Sequence, residues 1–128
     1  MAMMDGIADA PMVLVVEDEA IIRLMLVDEL EDAGFAVIEA EGADAAVALL
    51  LNGATIRAVI TDVKMPGSMD GLGLAAWMRD QAPRVPIIIT SGFATEPNCA
   101  AINPAITCVV PKPYSPKSVT ALVIALLS

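Results

Sequence analysis

Three carboxylates, a hydroxyl and a lysine each stand directly after a short apolar run in this chain. Glu17 and Asp18, with Glu19 behind them, follow Met12 to Val16. Asp62 follows Ala58 to Thr61. Thr90, Ser91 and Gly92 end the run that begins at Val85, and Lys112, held between Pro111 and Pro113, follows Thr107 to Val110. No basic residue adjoins the carboxylates in sequence. Acids gathered at one place repel one another by several kcal/mol unless a cation intervenes or one of them takes up a proton. A hard, oxygen-seeking divalent ion such as Mg²⁺ suits such a set, because it accepts one or two carboxylates, carbonyls and waters.

The elements that must carry these residues alternate. Met12 to Val16, Phe35 to Ala40, Ala58 to Thr61, Val85 to Thr90 and Thr107 to Val110 read as strands, being short, apolar and rich in β-branched residues. Between the first two, Ile22, Met25, Leu26, Leu30 and Ala33 recur at spacings of three and four and predict a helix with that core stripe, closed by Gly34 in a left-handed position. Gly42 to Leu51 and Leu72 to Arg79 predict two more helices. Ser115 as N-cap with Pro116 after it opens a last one to Leu127. Ala94 to Ala105, broken by Pro97, Asn98, Asn103 and Pro104, predicts at most a short or irregular helix.

Alternating strands and helices imply right-handed crossovers and an α/β fold, a doubly wound five-stranded parallel sheet with helices on both faces. Strands that are apolar throughout fit a sheet covered twice. Sites in such sheets form beyond the carboxyl ends of the strands, where all the residues named above fall. The domain is expected over residues 12–128, with residues 1–11 as a flexible N-terminal extension.

Bulk properties narrow the function. The 128 residues suffice for one domain. With 16 acids against 7 bases the net charge is −9, which repels nucleic-acid phosphates. No histidine is present, which removes the usual general base and the usual zinc ligand. Cys99 and Cys108 are too few and too oddly placed for a disulfide framework and read as small buried hydrophobes. No apolar run is long enough to span a bilayer and the first nine residues do not resemble a signal peptide, so a cytoplasmic location is expected.

Four strings carry a specific resemblance: Val15-Val16-Glu17-Asp18-Glu19; Ile60-Thr61-Asp62-Val63-Lys64-Met65-Pro66 with Met69-Asp70-Gly71; Pro86-Ile87-Ile88-Ile89-Thr90-Ser91-Gly92; and Lys112-Pro113-Tyr114. In this order and spacing the chain resembles the receiver domains of response regulators, the CheY-like family of two-component signalling, from Met12 to Leu127. The resemblance implies a flavodoxin-like (βα)5 fold and a phosphoacceptor signalling domain rather than a conventional enzyme. Asp62 would take a phosphoryl group from a phosphohistidine on a sensor histidine kinase or histidine phosphotransferase. Asp18, Asp62 and the backbone carbonyl of Lys64 would hold Mg²⁺, with Glu17 acting through metal-bound water. Lys112 would pair with the carboxylate and later with a phosphoryl oxygen, and its bond to Pro113 would be cis. Ser91 would be the switch hydroxyl, since strand alternation turns Thr90 to the other face.

Some positions depart from the family pattern. Val109 stands where an aromatic partner of the switch is frequent, so no aromatic swing is available there. Tyr114 is expected to pack. The Gly67-Ser68-Met69 loop is one residue longer than the shortest family version. Lys64 and Phe93 flank the acceptor and are expected to set how fast water removes the phosphoryl group.

Only Ser128 follows Leu127, so output is expected through binding, either by a stand-alone domain or by one drawn from a larger protein. Ile21 and Leu24 on the first helix are expected to meet the phosphodonor. The last helix, apolar nearly all round, is expected to be buried on more than one side. With the segment from Ala94 and the fifth strand it would form the face for an unknown output protein or a homodimer. A haloacid-dehalogenase-like phosphatase would want an acid where Lys64 stands, and a flavodoxin-like redox module would not place acids after the first strand. A degenerate receiver serving as a scaffold is possible but unneeded, since every site residue is present.

Overall fold

The computed structural model describes residues 10–52, 55–92 and 102–128. In chain order the elements are β1 (Met12–Val16), α1 (Ala20–Asp32), β2 (Ala36–Ala40), α2 (Ala43–Leu51), β3 (Ile56–Asp62), α3 (Gly71–Gln81), β4 (Ile87–Ser91), β5 (Ile106–Pro111) and α4 (Pro116–Leu127). The five strands pair in parallel in the order β2-β1-β3-β4-β5. This is the doubly wound arrangement expected from the alternation.

Strand side chains point alternately to two faces, and the core divides accordingly. Leu14, Val16, Val59, Ile87 and Ile89 pack with Ala46 of α2 and Leu74 and Met78 of α3. Val13, Val15, Ile60 and Ile88 pack on the other face with Leu26, Val27 and Leu30 of α1 and Val119 and Val123 of α4. β1 is buried on both faces, and so is most of β3 and all of β4, which is why those strands read as unbroken apolar runs. β5, at the sheet edge, instead alternates between half-buried and exposed residues, with Val109 exposed.

Turn chemistry fixes the element ends. Gly34 adopts φ +99°, the left-handed conformation a glycine tolerates. Asp70 caps α3, its Oδ1 accepting the N–H of Gly73 at 2.7 Å. Ser115 stands at the N-cap of α4 with extended backbone, yet its side chain makes no capping hydrogen bond; its carbonyl accepts the N–H groups of Ser118 and Val119 instead.

The structure corrects one reading of a helix face. Met25 (53% exposed) and Ala33 lie outside the core of α1, and Val27 takes the place given to them. In α4, Val119, Thr120 and Val123 are buried within the domain, while Ala121, Ile124 and Ala125 are exposed on the side expected to meet a partner. Phe93, Cys99 and most of the segment from Ala94 to Ala105 lie outside the described residues, as do residues 1–9 of the N-terminal extension. Among the described residues no helix is long and apolar enough to cross a membrane.

The face assignment has a measurable consequence. Leu30→Ala should cost roughly 2–5 kcal/mol in urea unfolding, because it empties fully buried space. Met25→Ala should cost less than about 0.5 kcal/mol. Equal losses at the two positions would contradict the assignment.

Candidate functional site

The strand order decides which side chains meet. β1 and β3 are neighbours, so the residues just past Val16 and at the end of β3 share one rim. β5 lies two strands from β3, about 10 Å away, and only a long side chain crosses that distance. Lys112 does so: its Nζ lies 2.7 Å from Oδ2 of Asp62 and 3.4 Å from Oε1 of Glu17. Its backbone N–H donates to the carbonyl of Ser91 at 2.7 Å, which ties the end of β5 to the end of β4. The Lys112–Pro113 peptide is cis.

Glu17, Asp18 and Asp62 each offer a carboxylate oxygen, and these three oxygens lie within 4.8 Å of one another. Glu17 and Asp62 are buried, at 3% and 7% exposure, while Asp18 is open to solvent. At that spacing each pair of charges repels by roughly 3 kcal/mol in a partly screened setting. Burial pushes the Glu17 carboxyl above its ordinary range, and the side chain of Asp18 and the charge of Asp62 push the same way. The N–H of Glu19 and the charge of Lys112 oppose them without prevailing. Burial alone would lower the pKa of Lys112, but its hydrogen bond and attraction to Asp62, with Glu17 behind, raise it, so the ammonium stays charged. One lysine against three acids leaves the rim two charges short. A hard divalent cation fits this all-oxygen donor set and its residual charge.

A hollow of about 280 Å³ opens over the rim, lined by Asp18, Glu19, Asp62, Val63, Lys64, Gly92 and Lys112. Lys64 thus borders the same space as the acids. Ser91 ends β4 at 1% exposure. Ile87 and Ile89 face one core and Ile88 the other, so Ser91 and Thr90 take opposite faces, as the alternation requires. Beside the site, Tyr114 packs against the α1 and α4 core, the packing role expected for it.

The backbone at Asp62 is shaped by a residue to which sequence reasoning gave no role. A Cβ on Gly71 would come within 1.9 Å of the carbonyl oxygen of Asp62, so only glycine lets α3 begin that close to β3. Its N–H donates to the carbonyl of Val63 at 2.8 Å, joining the two segments. The signal was legible, a glycine directly after a capping aspartate, but its partner is set by the fold. Arg23 is the second such residue: it bonds the carbonyl of Glu17 at 2.7 Å and the carboxylate of Glu39 at 3.0 Å.

This rim lies where the family strings fall, and comparison with known proteins agrees. The family model for the response regulator receiver domain matches residues 13–124. The chain belongs to that family. The transcriptional regulatory protein ResD of Bacillus subtilis is 35% identical over 90% of this chain and 47% of ResD. FleR, a response regulator of Pseudomonas aeruginosa, is 31% identical over 89% of this chain and 24% of its own length. The chain therefore spans less than half the length of these curated relatives. Among solved structures, CheY4 of Vibrio cholerae is 28% identical with a TM-score of 0.78, covering 91% of this chain and 98% of CheY4. The response regulator TrrA of Thermotoga maritima, solved in complex with Mg²⁺-BeF, is 26% identical with a TM-score of 0.78 over 91% of this chain and 98% of TrrA.

The electrostatics of the rim extend to the chain's single tyrosine. Burial, then the charge of Glu17, pushes the Tyr114 hydroxyl up to about 12. Because the folded pKa exceeds the usual value near 10, the stability linked to it is complete below about pH 10 and lost as pH rises through about 12. Absorbance at 295 nm should therefore titrate with a midpoint near 12. A midpoint near the free-tyrosine value of about 10 while the fold persists would contradict this environment.

Proposed function

We propose that this receiver domain accepts a phosphoryl group on Asp62 from a phosphohistidine of a histidine kinase or histidine phosphotransferase, in a site that uses Mg²⁺. The observation that carries the reading is the 2.7 Å contact of Lys112 with Asp62 inside a cluster of three carboxylates. Asp18, Asp62 and the backbone carbonyl of Lys64 would hold the ion, with Glu17 acting through water. When bound, the ion neutralises charge as it builds on the phosphoryl oxygens.

The remaining steps belong to the chain's own groups. A carboxylate oxygen of Asp62 attacks phosphorus, and the bond from phosphorus to the donor imidazole nitrogen breaks. The electron pair leaves with the imidazole, which takes up a proton, and Asp62 carries the phosphoryl group as an acyl phosphate. Lys112 exchanges its carboxylate partner for a phosphoryl oxygen, as a flexible point charge allows. The Ser91 hydroxyl serves as the switch group. Because Val109 replaces an aromatic residue, the switch works here without an aromatic rotamer. Lys64 and Phe93 set the rate of hydrolysis.

Two surfaces suit the partners. Beside the acid rim, a hollow of about 350 Å³ is lined by Ile22, Met25, Lys112, Pro113, Tyr114 and Pro116. Ile21 and Leu24 are exposed on the same helix, at 75% and 52%, which supports docking of the phosphodonor there. The exposed Ile124 and Val109 support an output face on α4 and β5, for a partner protein or a second copy of the chain. The setting is the cytoplasm.

Incubation with acetyl phosphate and Mg²⁺, read by intact mass, should add one phosphoryl group to the wild type. Asp62→Asn, or removal of the metal by a chelator, should abolish the gain. A wild type that gains nothing, or an Asp62→Asn variant that gains as much, overturns the proposal. The dimer reading expects the light-scattering mass to rise toward twice the monomer with the phosphoryl mimic beryllofluoride; a monomer with and without the mimic excludes it.

A further inference from the structure

From the contacts of its guanidinium we infer that Arg23 is a positioning residue for the metal ligands, fixing the turn that presents Asp18; this rests on the Mg²⁺ reading above. Arg23 lies one turn into α1, where its backbone N–H donates to the carbonyl of Glu19. Its side chain folds back over the start of the helix. Nη1 donates to the carbonyl of Glu17 at 2.7 Å, and Nε donates to Oε1 of Glu39 at 3.0 Å. Nη2 lies 3.9 Å from Oε1 of Glu41. The side chain is only 12% exposed, so water competes weakly for these contacts.

The bonded carbonyl has a particular place. Pairing of β1 with its neighbours ends at Val16, and the N–H of Glu17 makes one last bond, to the carbonyl of Ala40. Beyond it the chain leaves the sheet, and the next peptide plane joins Glu17 to Asp18. The Glu19 N–H donates back to Oε2 of Glu17 at 3.2 Å, while repulsion among Glu17, Asp18 and Asp62 favours swinging Asp18 outward, since it is the exposed member of the three. Arg23 fixes the plane from the far side and anchors it to β2 through Glu39. The rigid fork of a guanidinium spans a carbonyl and a carboxylate together, whereas an ammonium is a single point. A lysine at this position keeps the charge and loses the span.

Charge and position make opposite demands, which renders the inference testable. A positive group near the acid rim repels a cation, so its removal should tighten Mg²⁺ binding if charge alone mattered. Loss of a ligand-orienting partner weakens metal affinity instead, commonly by about tenfold or more. Calorimetric titration of Mg²⁺ into the full chain without phosphodonor should show affinity weakened about tenfold in both Arg23→Ala and Arg23→Lys. Saturating Mg²⁺ should then restore acetyl phosphate modification of both variants toward the wild-type extent. Melting curves identify a variant that does not fold, and Arg23→Lys, which keeps the charge and the side-chain stem, remains decisive if Arg23→Ala fails. Affinity equal to or tighter than wild type in folded Arg23→Lys overturns the inference while leaving the phosphoacceptor reading intact. A wild type that binds no Mg²⁺ removes both.

Discussion

The architecture of this domain answers to a charge imbalance that it creates itself. Three carboxylate oxygens lie within 4.8 Å of one another at one rim of the sheet, and two of the three side chains are buried. Such a cluster is costly unless something offsets it. Lys112 supplies part of the offset from two strands away, and its contact with Asp62 depends on the strand order, on the bond between its N–H and Ser91, and on α3 beginning tightly against the end of β3. The remaining negative charge suits the rim to a divalent cation, which the proposed phosphoryl transfer to Asp62 would use.

The buried apolar strands and the acids at their ends are parts of one arrangement. The two cores on either face of the sheet hold β1, β3 and β4 rigidly, so the residues at their ends are presented without freedom to relax apart. The turn after β1 is the weaker link, because it carries acidic side chains on backbone that has left the sheet. Arg23 braces that turn from behind, and Gly71 lets α3 crowd Asp62 from the side. Both act on backbone rather than on the reacting groups.

Much of this was legible in the sequence because the signals were local. Strands buried on both faces show as unbroken apolar runs, and the acids and lysine fall directly after them. What was not legible depended on phase or on partners distant in sequence. In α1 the residues Ile21, Ile22, Leu24, Met25, Leu26 and Val27 are nearly all apolar, so the pattern fits more than one stripe; the packing on α4 and the sheet selects Leu26, Val27 and Leu30. In α4 the same apolar excess leaves Ile124 facing outward, beyond the side that packs on the sheet. Arg23 reads as an ordinary polar position of a helix until β2 is known to bring Glu39 beside it. β3 begins at Ile56, earlier than its apolar run suggested, since the exposed Arg57 interrupts the pattern without ending the pairing of the strand.

The central claim is that the acid rim and Lys112 form one receptor for a metal and a phosphoryl group on Asp62. A crystal structure of the domain grown with Mg²⁺ and beryllofluoride tests it most directly. Beryllium density should appear on a carboxylate oxygen of Asp62, a metal beside Asp18, and the Nζ of Lys112 moved from the carboxylate onto a fluoride. Beryllofluoride and Mg²⁺ both absent from the rim at saturating concentration, with Lys112 still seated on Asp62, would contradict it.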